Sequence, residues 1–413
     1  MKLKDLSVNI FSGGTPSTTN EDFWNGEFYW LSSGETKNTY IRETEKTITK
    51  LGVEKSSTRL AKVGDVVIAS AGQGKTRGQV AYCLTDTYIN QSIIAIRTKE
   101  ELLNSKFLFY NLASRYNELR LLSDSSSSRG SLTVKIFEEL DINLPKIENQ
   151  KKIAKVLSNY DDLIENNNKR IKILEEMAQK IYKEWFVDFK FPNHETATFK
   201  QTEHGKIPSD WFWGTIKDIN DVKGGYAFKS SDLKETGEYG VIKIKNIQSG
   251  DIDINFCQYI DERIAQKAEA FKLDVGDMLI AMTGAQVGKV GIMPKTGQHY
   301  YLNQRVGKFV PNKEYIVNNQ YLSMCTSSEK FNIQINNVAS GAAQPNISTS
   351  QIESIEILVP KAEILTQFET LVNPLFMETM ALKEKNAILK QTRDLLLPRL
   401  ISGEINVENM EIK

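Results

Sequence analysis

Val63-Gly64-Asp65-Val66-Val67-Ile68-Ala69 decides how this chain is read, because it occurs twice. The second copy is Val275-Gly276-Asp277-Met278-Leu279-Ile280-Ala281. The copies continue in step: Asn90-Gln91 recurs as Asn303-Gln304, and Ile142-Asn143-Leu144-Pro145 as Ile357-Leu358-Val359-Pro360. The offset drifts only from 212 to 215 residues, so insertions inside the repeat are small. Solenoid units run to about 20–50 residues, so a period this long is a duplicated domain. In each copy a Gly-Asp turn leads into a short apolar run bounded by polar residues, the pattern of a buried strand.

Working outward, residues 1–147 read as a first β-rich domain, with strand-like runs at Thr47-Ile48-Thr49, Val80-Ala81-Tyr82 and Ile93-Ile94-Ala95-Ile96. One helix is expected over Asn104 to Leu122, and Pro145 closes the domain. Residues 148–189 form a helical spacer, and 190–360 a linker (to about Trp213) followed by a second β-rich domain with a helix over Asn319 to Asn332. Residues 361–403 form a second helical spacer, and 404–413 a tail. Each spacer carries two heptad seams. In the first, Leu157, Ile164, Ile171, Ala178 and Trp185 form one and Tyr160, Asn167, Leu174 and Ile181 the other. In the second, Leu375, Leu382, Leu389 and Leu396 form one, with Val372, Thr379, Asn386 and Arg393 in the other. A helix of about 40 residues is roughly 60 Å long. Asn167 and Asn386 are placed to set register at some cost in stability. Two matched seams on one chain are at high effective concentration, which favours pairing within the chain over a dimer zipper.

At 413 residues the chain exceeds one comfortable core. Its 40% hydrophobic and 25% charged residues are those of an ordinary globular protein. No apolar run approaches the roughly 20 residues of a membrane span, and no secretory signal opens the chain, so a cytoplasmic protein is expected. Three scattered cysteines make no disulfide framework. The balance of 52 basic and 52 acidic residues counts against a lone nucleic-acid binder, unless cations cluster or a partner supplies phosphate contacts.

Three chemical motifs fail on context. Ala69-Ser70-Ala71-Gly72-Gln73-Gly74-Lys75-Thr76 loosely fits a phosphate loop, but a second strand follows where a helix is needed. As a hairpin tip it offers Gln73, Lys75, Thr76 and Arg77 to solvent, where such side chains read base edges and phosphates. Asn373-Pro374-Leu375-Phe376 is near an adenine-methyltransferase motif but falls in a heptad helix, where Pro374 is expected to kink or restart it. His194, His204 and His299 lack metal-ligand spacing, and neither a metal site nor a catalytic centre is expected.

If the two domains read different targets, identical residues are scaffold and differing polar residues carry the reading. Val-Gly-Asp and Asn-Gln then hold backbone. Arg77 aligned with Lys289 is a shared phosphate contact. Gln73 and Lys75 against Thr283 and Gln286, and Arg129, Ser131 and Thr133 against Gln344 and Asn346, are the readout candidates.

Gly276-Asp277 through Ala281-Met282-Thr283-Gly284 to Gly288-Lys289-Val290-Gly291, then Leu302-Asn303-Gln304-Arg305-Val306-Gly307, resembles the target recognition domain of type I restriction–modification specificity subunits. So does the first copy, from Gly64-Asp65 through Ala71 to Gly78 and on to Asn90-Gln91. Leu144-Pro145 to Gln150, Trp185 to Phe189, Gly341 to Asn346, and Leu397 to Gly403 are similar to the family's other markers. The resemblance implies an α+β protein: two recognition domains separated by an antiparallel pair of long coiled-coil helices, an internal pseudo-twofold repeat. It also implies a non-catalytic subunit that binds a bipartite, asymmetric site in double-stranded DNA with a degenerate spacer. Two methyltransferase subunits and one or two restriction subunits are the implied partners, with S-adenosylmethionine, ATP and Mg on those partners and none on this chain. A tandem-domain coiled-coil scaffold that binds only proteins is the competing reading, favoured by the zero net charge.

Overall fold

The computed structural model describes residues 1–72, 74–124, 130–312, 319–339 and 345–410. Gln73, Arg129, Gln344 and the Ser125–Ser128 and Gly341–Ala343 stretches therefore lie outside the described residues. Contacts divide the chain into two units, Met1–Ile164 with Leu389–Lys413, and Glu165–Ile388.

In the first unit the Gly-Asp turn delivers Val66–Ala69 to the middle of a five-stranded sheet. Its order is Ser7–Ser12, Ile93–Thr98, Val66–Ala69, Val80–Cys83, Tyr40–Ile41. The pairs are antiparallel except the last, which is parallel. All four residues of Val66–Ala69 are buried, and the reason lies in two cores. Val66 and Ile68 face the cluster of Phe107, Leu108, Leu119 and Leu157, whereas Val67 faces Phe11, Leu31 and Ile89. A strand covered on both faces is apolar at every position, so the sequence run does not alternate. A four-stranded sheet completes the domain, in the order Lys46–Ile48, Trp24–Leu31, Thr87–Ile89, Arg59–Ala61.

The second unit repeats this topology strand for strand. Its sheets run Asn220–Gly224, Val306–Pro311, Met278–Ala281, Val290–Ile292, Gly250–Asp251, and Gln258–Ile260, Tyr239–Ile242, His299–Leu302, Lys272–Leu273. Met278 and Ile280 face one core while Leu279 and Ala281 face another. The repeat starts at the first residues: helix Leu3–Leu6 followed by Ser7–Ser12 corresponds to helix Ile216–Ile219 followed by Asn220–Gly224.

Three expectations are corrected. The single helix over Asn104 to Leu122 is two, Ser105–Ser114 and Tyr116–Asp124, with a tighter three-residue hydrogen bond from the Arg115 N–H to the Leu112 carbonyl at the break. Its counterpart is likewise two, Gln320–Thr326 and Glu329–Ala339. The linker ending near Trp213 is not loose chain: Phe199–Thr202 pairs with Gly205–Pro208, Phe212–Thr215 pairs with Glu356–Val359, and Trp211 is fully buried. Aromatic character, which carries no period, made this segment look unstructured. Trp211 lies 5.0–5.7 Å from the rings of Phe186, Phe189 and Phe191.

The long helices are Ile147–Tyr182, widened at its end into a π-turn over Lys183–Val187, and Ala362–Ser402. The second passes through Pro374 without restarting. Proline removes one donor, and the neighbouring Val372, fully buried, and Leu375 hold that stretch against the core. Each unit contains half of the pairing. In the second unit the Asn167 amide donates to Asn386 Oδ1 and the Asn386 amide to Asn168 Oδ1, each at 2.8 Å. Arg170 pairs there with Glu378. Farther on, Ala178 shares a cavity wall with Val372 and Leu375, so the helices run antiparallel. Ile171, Ala178, Val372, Thr379 and Leu382 are buried, and Leu174, Ile181 and Leu375 are half-buried. In the first unit Ile153, Ala154 and Leu157 join Leu396, Leu397 and Leu400 in one apolar cluster, with Ile164 and Leu389 half-buried. No helix among the described residues is long and apolar enough to cross a membrane.

Candidate nucleic-acid interface

Each domain presents one hairpin tip on a rigid base. Gly64 and Gly276 take φ of +94° and +86°, which only glycine adopts without strain. The following aspartate closes the turn. Asp65 accepts the Lys62 N–H at 2.8 Å and pairs with Arg97 at 2.7 Å. Asp277 accepts the Asp274 N–H at 2.7 Å and pairs with Lys308 at 2.6 Å. Burial pushes the Asp277 carboxyl above its ordinary range, against the pull of Lys308. Behind the tip, Asn90 and Asn303 each accept the N–H two residues on, of Ser92 and Arg305. Their own N–H groups donate to Leu31 and Ile242. Asn90 and Asn303 therefore hold backbone.

The strand Val66–Ala69 returns antiparallel as Val80–Cys83. Among the described residues the phosphate-loop string therefore joins two strands and opens no helix, where a phosphate loop needs a helix N-terminus. Hydrogen bonds fix the register of the two tips. The Gly78 N–H donates to Ala69 as the Gly288 N–H does to Ala281, and the Gln79 N–H donates to Thr76 as the Lys289 N–H does to Gln286. Arg77 consequently matches Val287, and Lys289 matches Gln79. The alignment of Arg77 with Lys289 is corrected by two residues.

Arg77 also departs from its expected role as an exposed cation. Its side chain is 13% exposed, with the guanidinium donating to the Gly130 carbonyl and to Asp124. Lys75 is exposed and Thr76 half-buried. Ser131 is half-buried, and Thr133 caps the helix Val134–Glu138 by accepting the Ile136 N–H, a structural task. In the second tip Thr283 is 8% exposed and forms a strand bridge to the exposed Asn346, so it does not project as a reading residue. Gln286 and Lys289 are half-buried, and Gln286 Oε1 is a buried acceptor with no partner among the described residues. The structure therefore brings Lys75 with Thr76, and Gln286, Lys289 and Asn346, to the two tips.

A second loop beside each tip escaped the sequence reading. Turn Ser33–Lys37 touches the first tip, where Thr36 Oγ1, which donates to the Ser33 carbonyl at 2.8 Å, lies 3.5 Å from Gln79 Oε1. Turn Ile244–Asn246 lies beside the second, where a Cβ added at Gly284 would stand 3.9 Å from Ile244 Cδ1. Leu31 and Ile242 occupy the same place, so Ser33-Gly34 matches Ile244-Lys245, and no shared residue marks the loop. Lys243 Nζ donates to Gln258 Oε1 at 2.6 Å. Burial, then the neighbouring Lys245, lowers the Lys243 pKa. Two neighbouring cations suit a phosphate, although Glu235, which accepts from Gln258, offsets part of the charge at Lys243. Among the described residues no group of three His, Cys, Asp or Glu side chains is arranged to hold a metal.

The comparisons agree with this geometry. A family model described as the type I restriction modification DNA specificity domain matches residues 1–176 and 208–388. The MjaIX specificity subunit of a type I restriction enzyme from Methanocaldococcus jannaschii is 28% identical over 418 residues, covering 99% of this chain and 94% of that protein. The MjaVIII specificity subunit from the same organism is 30% identical over 336 residues, 78% of this chain and 75% of its own length. Among solved structures, the type I restriction-modification S subunit from M. genitalium matches the fold with a TM-score of 0.63 at 16% identity, over 97% of this chain and 95% of that one. Two copies of one double-cored domain, each followed by a long helix and each matched by the same family model, leave one assignment: the chain belongs to the type I restriction modification DNA specificity domain family.

Proposed function

We propose that this chain is the DNA sequence-specificity subunit of a type I restriction–modification complex. One observation carries the reading: the two domains share turns, buried strands and backbone-holding asparagines, yet differ at both loops of each tip. Duplication of a scaffold with divergence of its tips is the arrangement expected of a reader of two unlike half-sites. The target would be bipartite and asymmetric, with Lys75 and Thr76 in one half and Gln286, Lys289 and Asn346 in the other as contacts. Arg77 and Thr133 would support these loops from behind. The chain itself would be non-catalytic. Two methyltransferase subunits would dock on the helix pair and one or two restriction subunits outside them, and those partners would bind S-adenosylmethionine, ATP and Mg.

Exchanging residues 1–147 for those of a relative, in cells that supply the methyltransferase, tests this directly. Methylome sequencing is expected to show one half-site replaced and the other retained. Both halves altered would refute independent reading, and no DNA binding with the partner present would favour the protein scaffold.

A further inference from the structure

Resting on that reading, we infer that Tyr116 and Arg120 are positioning residues for base recognition by the first domain: they clamp the main chain of residues 74–78 and so set discrimination at one half-site only.

The loop needs a clamp. Gly72, Gly74 and Gly78 all have positive φ, at +136°, +62° and +86°, and glycine-rich chain has little stiffness of its own. Its carbonyls are held from outside by one helix, Tyr116–Asp124. Tyr116 Oη donates to the Lys75 carbonyl at 2.9 Å, and the Arg120 guanidinium donates to the Gly74 carbonyl. The Tyr116 ring also lies against Gly78, where an added Cβ would stand 3.6 Å from it. Asp124, at the end of the same helix, holds Arg77, which reaches across to the Gly130 carbonyl. The helix is in turn anchored by Leu119, fully buried in the core. The loop's conformation is thus set by side chains that sit behind it.

Among the described residues the second tip is tied by two main-chain bonds, of which the first tip matches one, from the Leu132 N–H to the Ser70 carbonyl at 2.8 Å. The Gly284 N–H donates to the Pro345 carbonyl and the Ile347 N–H to the Met282 carbonyl, both at 2.9 Å. No side-chain replacement removes those bonds, so the second half-site is an internal control. Base readout tolerates displacements of only about 0.5 Å, and a loop freed from two carbonyl contacts exceeds that while the domain beneath it stays folded.

The test uses the full chain assembled with its methyltransferase partner. Methylation rates are compared on duplexes altered one base at a time in each half-site, for wild type, Tyr116→Phe, Arg120→Ala, the double variant and Arg120→Lys. In the double variant, discrimination in the half-site set by residues 1–147 is expected to fall roughly tenfold, the scale of one good bidentate base contact. Arg120→Lys should restore part of it, and the other half-site should keep its wild-type discrimination. Equal loosening of both halves, or unchanged discrimination in the double variant, overturns the inference. Should the double variant fail to assemble, Tyr116→Phe decides alone, because it removes one hydroxyl and leaves the ring on Gly78. A wild-type complex that methylates no bipartite site would instead overturn the proposed function.

Discussion

In the first unit Tyr110 Oη donates to Asp161 at 2.5 Å, and Asp161 also pairs with Arg393, so domain and both helices meet in a buried ionic network. In the second unit the matching domain helix is met by Glu369, which accepts the Tyr321 N–H at 2.8 Å, with Oε2 buried and unpartnered among the described residues. Burial pushes this carboxyl up to about 8. One joint is charged and the other close to neutral at pH 7, although the strands they serve are superimposable in order. Duplication preserved what the backbone requires and left the chemistry of the joint free to diverge.

The largest effect on this contrast comes from the helix pair that both joints serve. Leu382 is 2% exposed, and Leu382→Asp buries a charge where a leucine packed, a loss of about 4 kcal/mol or more. Thermal unfolding should show it, and co-purification of the methyltransferase should be lost; full retention of both would mean the pair is not a structural seam. Next is Asp161→Ala, which removes the carboxylate shared by the Tyr110 hydroxyl and Arg393 and leaves Arg393 paired with Asp394 alone. Losing charge-assisted bonds of this kind costs about 2–3 kcal/mol, and chemical denaturation should place the loss in the first unit.

Glu369→Gln sharpens the comparison through pH. The folded chain keeps a proton on Glu369 that the unfolded chain releases near the ordinary carboxylate value of 4.5. Stability is therefore fully present below that value, declines as pH rises toward about 8, and levels off above it. Glutamine removes the slope, so the melting temperatures of variant and wild type should diverge by a few degrees between pH 6 and pH 9. Cys325, which feels the Glu369 charge, and Tyr321, whose N–H Glu369 accepts, are both raised by burial and stay neutral across this range. Parallel pH curves would show that Glu369 is not the group responsible. The smallest effect is expected at Asn167 and Asn386. Asn386→Leu strands the buried Asn167 amide and costs about 1–3 kcal/mol, Asn167→Leu costs less because Asn386 still donates to Asn168, and replacing both is close to neutral. A double-mutant cycle on melting temperature measures the difference.

Much of this organisation was legible in the sequence. The Gly-Asp turns, the continuous apolar runs and the leucines at 375, 382, 389 and 396 are local patterns whose spacing equals a structural period. The segment from Phe189 to Trp213 was not, because Phe191 and Trp211 are buried by distant aromatic rings and no period announces them. The break at Arg115 was hidden by an apolar stripe that continues across it.

The tips divide most clearly. That two tips exist, and that glycine builds them, the chain determined by itself, since turn chemistry depends on a few adjacent residues. Which residues correspond between them only the fold decided. Counting along the chain pairs Arg77 with Lys289, while the hydrogen bonds of Gly78 and Gly288 pair Arg77 with Val287 and Lys289 with Gln79. Likewise the cation of Arg77 looks free in the sequence and is tied in the structure to Asp124 and Gly130, more than 40 residues away. A side chain's availability to a ligand depends on contacts distant in sequence, and spacing along the chain carries no information about them.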